Sequence, residues 1–211
     1  MSGSATDEFK LIGLNPLDST IKRTFDIILS MVGLILTWWI IIPAWAVATI
    51  ETRSNGFFVQ KRVGRFGKLF SVIKIKTMYP RKLADSSVTT LNDARITRSG
   101  YLFRRTKIDE LPQLLNVLLG QMSFVGPRPD VPGFADLLQG EDRIILSIRP
   151  GITGPATLKY RNEESLLASQ PDPESYNRDV IFPDKVRINR AYIRDYSFMK
   201  DLGYIWKTIM N

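Results

Sequence analysis

Two adjacent carboxylates, Asp109 and Glu110, lie near the start of the stretch Lys107–Pro129, which reads KIDELPQLLNVLLGQMSFVGPRP. Proline is tolerated in a first helical turn, so Pro112 predicts a helix that begins close to the pair. The positive end of a helix favours ionised carboxylates and also attracts phosphate. Five cations precede the pair, at Arg95, Arg98, Arg104, Arg105 and Lys107. The pattern predicts either a site for chemistry on a phosphorylated substrate or a surface cluster of ion pairs.

The composition of the 211-residue chain limits which residue types and metals could carry out chemistry on such a substrate. There is no cysteine and no histidine, which excludes disulfides, thiolate nucleophiles, imidazole bases and the usual zinc ligands. Covalent or acid–base chemistry must therefore use Asp, Glu, Lys, Tyr, Ser or Thr, and a catalytic metal would be a hard ion such as magnesium. The formal net charge of +8 predicts anionic partners, whether nucleotide phosphates, lipid headgroups or nucleic acid.

Two glycine- and proline-rich turns each contain one arginine. The first is Gly126-Pro127-Arg128-Pro129, and the second runs from Arg149 to Gly154 with the sequence RPGITG. A stiff backbone lowers the entropy cost of holding a side chain in place. Because the planar guanidinium matches phosphate, the two turns together predict an anion clamp.

The stretch Phe25–Ile50 is apolar apart from one charge, at Asp26, and exceeds the roughly twenty residues that cross a bilayer. A single-pass span is the default interpretation. However, Trp38, Trp39 and Pro43 fall near its middle, where proline bends a helix and indole rings are far from the interface they favour. Basic residues also flank both ends, at Lys10, Lys22 and Arg23 before the stretch and at Arg53, Lys61, Arg62, Arg65 and Lys68 after it. Two positive flanks slightly favour a re-entrant hairpin over a span.

Local patterns predict one globular domain after this anchor. Strands are predicted at Gly56–Val63 and Leu69–Met78, helices at Thr97–Arg105, Pro112–Leu119, Phe134–Ile148 and Lys185–Asp195, and polar loops at Tyr79–Asn92 and Glu163–Asp184. Lys74 and Lys76 would share one strand face, which either meets phosphate or is solvated. The apolar stripe of Phe198–Met210 predicts either core packing or a helix in a membrane interface.

Together these motifs resemble the bacterial sugar transferases called small monotopic phosphoglycosyl transferases. The resemblance is carried by Lys22-Arg23-Thr24-Phe25-Asp26, Gly67–Met78, Arg104, IDELPQLLNVL, MSFVGPRP, RPGITG, Tyr192 and SFMKDL. It therefore covers nearly everything after residue 20. The run Asp109-Glu110-Leu111-Pro112-Gln113, with Asn116 and the GPRP turn behind it, is highly specific to that family.

The resemblance implies that a UDP-sugar donates its sugar phosphate to undecaprenyl phosphate, releasing UMP, as the first membrane step of bacterial polysaccharide or glycoprotein assembly. In that family the aspartate of the pair attacks the β-phosphate of the donor and forms a covalent aspartyl-phosphosugar. Carried over, Asp109 is the nucleophile, and Glu110 helps it to hold Mg²⁺. The implied phosphate- and donor-binding residues are Lys76, Arg104, Arg128 and Arg161. Anion–anion repulsion in such an attack requires neighbouring cations and metal, which this sequence can supply.

The implied fold class is α/β, a family-specific monotopic membrane fold with a re-entrant N-terminal membrane helix and a small catalytic domain that carries interfacial amphipathic helices. On this basis residues 1–18 are a flexible tail, 19–54 the membrane-inserted helix and 55–211 the catalytic domain. The anchor residues are Lys22, Arg23, Trp38, Trp39 and Pro43. The catalytic domain would lie on the cytoplasmic face of the bacterial inner membrane, where UDP-sugar, polyprenyl phosphate and membrane lipid meet.

The sequence departs from that family at several positions. Relatives often break the hairpin at a Ser-Pro, whereas Trp38-Trp39 stands here, so the position of the bend is open. Gln121 replaces a common acid. Asn189 stands where an aspartate is frequent, so a metal or donor contact made there by relatives would have to be made otherwise.

The alternative function is a membrane-anchored basic binding or scaffold protein without catalysis, in which the acidic pair only caps a helix. Nucleic-acid binding would be favoured by aromatic residues among the cations. The stretch 95–107 has only Tyr101 and Phe103, so no nucleic-acid partner is expected. The transferred sugar, the glycan pathway and the oligomeric state, a homo-oligomer included, stay open.

Overall fold

The computed structural model describes residues 13–79 and 95–210. Within them a long N-terminal helix precedes a domain of short strands and helices, which confirms a mixed α and β architecture. Residues 1–12 of the predicted tail and 80–92 of the predicted loop lie outside the described residues.

The N-terminal helix α1 spans Pro16–Thr52 and has 37 residues. Asn15 caps it by accepting from the Asp18 amide at 2.7 Å, and Pro16 occupies the first turn, where its missing N–H costs little. The helix ends where Arg53 adopts a left-handed conformation with φ of 49°. At about 1.5 Å per residue, α1 is about 55 Å long.

The helix is continuous through Trp38, Trp39 and Pro43, so the predicted re-entrant bend is not confirmed. Pro43 removes one backbone hydrogen bond without ending the helix. In the described part of the chain, α1 is the one helix long and apolar enough to cross a membrane. Only 11 % of its most apolar stretch is buried, whereas the core helix of a soluble protein would be mostly buried.

Both halves of α1 pack on the domain that follows it. Near its start, Lys22 is buried and pairs with Asp201 at 2.5 Å. Near its end, Ala44 and Ala48 share a buried cluster with Phe103. A spanning helix attached only at one end would lack one of these two contacts.

The basic pair at the start of α1 faces the protein. Beside the buried Lys22, Arg23 donates to the carbonyls of Val117 and Leu118 at 2.7 and 2.8 Å. In contrast, Trp38 and Trp39 are 57 and 61 % exposed. Pro43 is exposed as well, so of the predicted anchor residues the tryptophans and the proline face outward, whereas the basic pair faces the domain.

The two predicted strands are confirmed, and they form a β-hairpin. Strand β1 (Phe57–Val63) pairs antiparallel with β2 (Leu69–Ile75), with Phe57 opposite Ile75 at one end and Val63 opposite Leu69 at the other. A short 3₁₀ turn joins them, and Gly67 at its end has a positive φ of 74°, a conformation that favours glycine.

A second, parallel pair consists of β3 (Ser123–Val125) and β4 (Gly151–Thr153). It brings the two predicted arginine turns together, because Gly126 and Gly151 lie backbone against backbone. A Cβ added at Gly151 would be 2.1 Å from the amide nitrogen of Gly126. Only glycine permits this approach.

The remaining α-helices are α2 (Arg98–Thr106), α3 (Gln113–Leu118), α4 (Pro155–Lys159), α5 (Glu163–Ala168), α6 (Pro173–Tyr176), α7 (Phe182–Arg194) and α8 (Phe198–Met210). The predicted helices at 97–105, 112–119 and 185–195 are confirmed. The helix predicted over Phe134–Ile148 is wrong: two 3₁₀ segments, Ala135–Leu137 and Gly140–Ser147, replace it, because Leu138 is extended and Gly140 has a positive φ of 56°.

The loop predicted over Glu163–Asp184 is also wrong, since α5, α6 and the start of α7 occupy it. Polar residues there act as helix starts: Asp172 accepts from the Ser175 amide at 3.1 Å and so caps α6. Leu167 and Ile181 are buried and fix these short helices to the domain.

The apolar stripe of helix α8 was predicted either to pack in the core or to lie in a membrane interface, and its residues fall into two groups. Tyr204 and Ile205 pack against the main buried cluster, as core residues do. Four other large apolar side chains of the helix are exposed, namely Met199, Trp206, Ile209 and Met210.

Candidate active site

The two carboxylates of the acidic pair lie on a turn between α2 and α3. Lys107 ends α2 in a left-handed conformation with φ of 58°, and the 3₁₀ turn Ile108–Glu110 follows. Leu111 and Pro112 continue with right-handed helical dihedrals into α3. The prediction of a helix that begins close to the pair is therefore confirmed. Neither carboxylate caps α3, which has no side-chain cap.

Asn116 fixes α3 to the hairpin. Its Oδ1 accepts from the Ile73 amide at 3.1 Å, and its Nδ2 donates to the Ser71 carbonyl at 2.8 Å. The side chain thus satisfies backbone groups on the edge of β2 that would otherwise lack a strand partner. This attachment brings the end of β2 beside the acidic pair.

Glu110 is held between two cations. Its Oε1 lies 2.9 Å from Nζ of Lys74 on β2 and 3.0 Å from Nη2 of Arg128 in the first arginine turn. Burial raises the pKa of Glu110, but Arg128 and Lys74 outweigh burial and hold that pKa well below its usual range. Glu110 is therefore ionised near neutral pH.

Asp109 has the opposite environment. Its side chain is buried, and Oδ1 has no hydrogen-bond partner among the described residues. Burial, and next the negative charge of Glu110, raise the pKa of Asp109 to about 6. Two neighbouring carboxylates thus differ sharply, and Asp109 is the one left available for chemistry.

The other predicted phosphate-binding residues lie at varied distances from the pair. Arg128 contacts it directly, as described above. Arg104 on α2 instead pairs with Glu164 of α5, and Nζ of Lys76 donates to Ser54 Oγ at 2.8 Å. Arg161 is exposed just before α5. The structure therefore brings Arg128 to the acidic pair and gives Arg104 and Lys76 other partners.

The predicted clamp of two arginines is not formed. The second predicted turn is wrong in part, because Gly151–Thr153 form strand β4 and pair with β3. Although the two motifs pack together, Arg149 points its Nε at the Gly120 carbonyl, at 2.8 Å. Arg149 precedes β4 and Arg128 follows β3, so in a parallel pair they leave from opposite ends of the sheet. Only Arg128 reaches the acidic pair.

A model of the bacterial sugar transferase family matches residues 17–211. The chain belongs to this family. The exopolysaccharide production protein ExoY of Rhizobium meliloti is 29 % identical over 93 % of this chain and 87 % of its own length. The uncharacterized sugar transferase EpsL of Bacillus subtilis is 35 % identical over 90 % of this chain and 85 % of its own length.

A third relative is longer than this chain. The UDP-glucose:undecaprenyl-phosphate glucose-1-phosphate transferase of Klebsiella pneumoniae is 35 % identical over 93 % of this chain but only 41 % of its own length. These matches confirm the resemblance to bacterial sugar transferases, and the protein is a transferase enzyme.

In this sugar transferase, sequence reasoning missed several residues near the acidic pair. Lys74 was predicted on a strand face that either meets phosphate or is solvated, and its pairing with Glu110 was not predicted. Asp130 directly follows the first arginine turn, and burial raises its pKa to about 6. Beyond it, Glu163 pairs with Lys185 at 2.6 Å. Position next to a glycine–proline turn was the available signal for Asp130, whereas the Glu163–Lys185 pair depends on tertiary packing.

The described residues of this sugar transferase contain no group of three or more His, Cys, Asp or Glu that could hold a metal ion. Magnesium often binds through one or two carboxylates together with substrate phosphates, without a cage of protein ligands. Two adjacent carboxylates, Asp109 and Glu110, fit that mode, and both ion pairs of Glu110 fall on Oε1, which leaves Oε2 for a metal.

Proposed function

We propose that this protein transfers a sugar 1-phosphate from a UDP-sugar to a polyprenyl phosphate through a covalent aspartyl-phosphosugar on Asp109, with release of UMP. The observation that carries the proposal is the contrast within the acidic pair: Glu110 is fixed by Lys74 and Arg128, and Asp109 is buried with an unpaired oxygen. In a chain without Cys or His, a carboxylate is the natural nucleophile.

The names of relatives support the substrate classes. Besides the Klebsiella enzyme, the undecaprenyl-phosphate galactose phosphotransferase of Salmonella typhimurium is 32 % identical over 89 % of this chain and 39 % of its own length. Both names specify undecaprenyl phosphate, and they differ in the sugar. We therefore assign the donor and acceptor classes and leave the sugar open.

In the first step, Oδ2 of Asp109 attacks the β-phosphorus of the donor, and the bond from that phosphorus to the oxygen it shares with UMP breaks. Arg128 and Lys74 lower the repulsion between the carboxylate and the phosphates. In the second step, an oxygen of the lipid phosphate attacks the same phosphorus, and the bond to Asp109 breaks. Magnesium, held by Glu110 and Asp109 with the donor phosphates, would neutralise charge that develops on UMP.

We further propose that α1 lies within the cytoplasmic leaflet of the bacterial inner membrane, with the catalytic domain at its surface. Lys22 and Ala48 are about 39 Å apart along a helix axis, more than the hydrocarbon core of a bilayer, yet both are buried on one domain. A straight span could not keep both contacts. The exposed apolar residues of α8 suit the interface beside α1, because Trp favours headgroup depth.

The alternative, a binding or scaffold protein in which the pair caps a helix, gains no support, because α3 has no side-chain cap. The test of function uses the purified full-length protein with Mg²⁺, polyprenyl phosphate and a panel of UDP-sugars. We expect UMP release and, with donor alone, a phosphosugar adduct on Asp109 detected by mass spectrometry. Asp109→Asn should form no adduct, while Asp179→Asn, the same change at an exposed surface aspartate, should behave as wild type.

Release of UDP in place of UMP would indicate direct glycosyl transfer and contradict the covalent mechanism. For the membrane arrangement, cysteines introduced at Gly13 and Asn55 should both react with an impermeant reagent added from the cytoplasmic side. Labelling of the two positions from opposite sides would establish a span.

A further inference from the structure

Gln113 is a buried polar residue of the acidic-pair motif to which no role has been assigned above. Its side chain is 3 % exposed, and its amide nitrogen Nε2 has no hydrogen-bond partner among the described residues. Leaving a buried amide donor unpaired is costly, so such a group in a native structure calls for an explanation.

An unpaired acceptor lies one turn away. Oδ1 of Asp109 is also buried without a partner in the described part of the chain. Between the two residues, Leu111 (φ −55°, ψ −37°) and Pro112 (φ −61°, ψ −17°) keep right-handed helical dihedrals. The backbone hydrogen bonds here span three residues, from the Leu111 amide to Ile108 and from the Leu114 amide to Leu111, as in a 3₁₀ turn. Helical side chains tilt toward the N-terminus, so the long Gln113 side chain is directed back toward the turn that carries Asp109.

The packing of α3 on β2 places Gln113 close to the acidic pair Asp109 and Glu110. Val117 shares a buried cluster with Val72, and Glu110 pairs with Lys74 further along the same strand. The helix therefore runs antiparallel to β2. Gln113, one turn before Val117, lies between these two contacts and beside the acidic pair.

We propose that Gln113 is a positioning residue for the nucleophile: its amide donates to Oδ1 of Asp109 and leaves Oδ2 as the attacking oxygen. This inference rests on the proposed function. Both atoms are inaccessible to solvent, so a hydrogen bond between them satisfies two buried groups at once, whereas substrate cannot reach them.

The hydrogen bond contributes to both half-reactions. When Oδ2 bonds to the β-phosphorus and UMP leaves with the electron pair of the broken bond, Oδ1 becomes the carbonyl oxygen of a mixed anhydride. When the lipid phosphate attacks and the bond from Oδ2 to phosphorus breaks, negative charge returns to the carboxylate. An N–H aimed at Oδ1 stabilises that returning charge without reorganisation.

The test compares two variants of the full-length protein in nanodiscs. Gln113→Leu removes the donor at similar volume, and Gln113→Glu keeps the shape but replaces the N–H by an oxygen. Both should lower kcat for UMP release by about 10- to 100-fold, the scale expected for loss of a single preorganised donor. The KM and the directly measured Kd for the UDP-sugar should change by less than about twofold, since the donor contacts remain.

Ser147→Ala is the matched control. Ser147 Oγ is another buried oxygen without a partner among the described residues, and it lies in the 3₁₀ segment before β4 rather than beside Asp109. Its kcat should equal that of wild type. If Gln113→Leu does not fold, as judged by its melting transition, Gln113→Glu decides the question.

A wild-type kcat in both Gln113 variants overturns the inference. So does a loss of kcat that is matched by weaker donor binding, because Gln113 would then serve binding or packing. These outcomes differ from failure of the proposed function, in which the wild-type protein itself would release no UMP from any donor.

Discussion

Two buried aspartates, each near a lysine, serve this protein in different ways. Asp201 on α8 is 2 % exposed and accepts hydrogen bonds from Lys22, Tyr192 and Tyr196 at 2.5, 2.6 and 3.2 Å. Asp109 is 7 % exposed and has an oxygen with no partner among the described residues. Burial of a charge alone therefore does not distinguish a structural from a catalytic carboxylate. An unpaired oxygen does not do so by itself either, because Oδ2 of the buried Asp26 also has no partner among the described residues. What sets Asp109 apart is its place next to Glu110, which Lys74 and Arg128 hold.

The surroundings of Asp201 are built to keep it satisfied. Burial, and then the charge of Asp201, raise the pKa of Tyr192 far above its usual range, so the phenol stays a donor. The cluster fastens the C-terminal helix α8 to the start of α1. Near Asp109, by contrast, Lys74 and Arg128 form their ion pairs with the neighbouring Glu110 and not with Asp109.

The largest expected effect comes from replacing each of these two aspartates by asparagine, because the two variants should fail in different ways. Asp109→Asn should lower turnover by more than about 10⁴-fold, because an amide cannot form the acyl phosphate. Its free energy of unfolding should equal or exceed that of wild type, since the change removes a charge that burial disfavours. Asp201→Asn should lose about 3 kcal/mol of stability, because it leaves Lys22 buried without its counter-charge.

Thermal or denaturant unfolding in detergent, together with UMP release by the folded fraction, measures both effects. The folded fraction of Asp201→Asn should retain turnover. If Asp109→Asn were the less stable of the two, the distinction between a satisfied and an unsatisfied carboxylate would be lost.

A second prediction concerns how Glu110 is held. Arg128→Lys keeps the charge but loses the planar fork that can contact Glu110 and a phosphate together. We expect kcat/KM to fall by about 10- to 100-fold, the range for one charge-stabilising group. Arg178→Lys, at an exposed arginine with an exposed partner, is the control and should leave kcat/KM unchanged. If Arg128→Lys were as active as wild type, only the positive charge of Arg128 would matter and its planar fork would not.

Local motifs gave the sequence-based prediction its strongest parts. Pro112 placed the start of α3, and alternating residues placed the two strands of the hairpin. The second arginine motif, RPGITG, was predicted as a turn, but Gly151–Thr153 within it form strand β4. None of these signals could show that Arg149 would face Gly120, because strand direction decides which end of the sheet a side chain leaves from. Asn116 belonged to the motif, but its binding to the β2 edge is a tertiary contact.

The membrane helix illustrates a second limit. Proline and paired tryptophans predicted a bend, yet α1 is continuous through them. One missing hydrogen bond within a long helix is outweighed by its many remaining bonds and by contacts such as those of Ala44 and Ala48. Helices α5 and α6 were missed for a related reason, since short helices depend on packing more than on propensity.

The pH dependence gives a smaller, graded effect. Turnover needs ionised Asp109, so kcat/KM should fall by about tenfold per pH unit below the pKa of about 6. The same raised pKa means that the folded state binds this proton before the unfolded state does, so its contribution to stability is lost as pH rises from about 4 to about 6. The stability gained by Asp109→Asn should therefore shrink as pH falls through that window.

Asp130 is the control for this assignment, because its pKa is also raised to about 6. Asp130→Asn should leave the acidic limb of the pH profile in place. If the fall of kcat/KM at low pH disappears in Asp130→Asn, protonation of Asp130 causes that fall, and its assignment to Asp109 is wrong.

The smallest effect is expected at Lys76, which is compared with Lys74, the other lysine that the sequence placed on the same strand face. Lys74 pairs with Glu110, whereas Lys76 follows the end of β2 and donates to Ser54 beside the end of α1. Lys74→Met should lower kcat/KM by more than about tenfold, because it removes a cation that offsets charge at the phosphates. Lys76→Met should change it by less than about threefold, since an exchangeable hydrogen bond of this kind contributes only about 1 kcal/mol. A large loss in Lys76→Met would return Lys76 to the phosphate-binding role that the family resemblance implies, and would require its side chain to leave Ser54 when the donor binds.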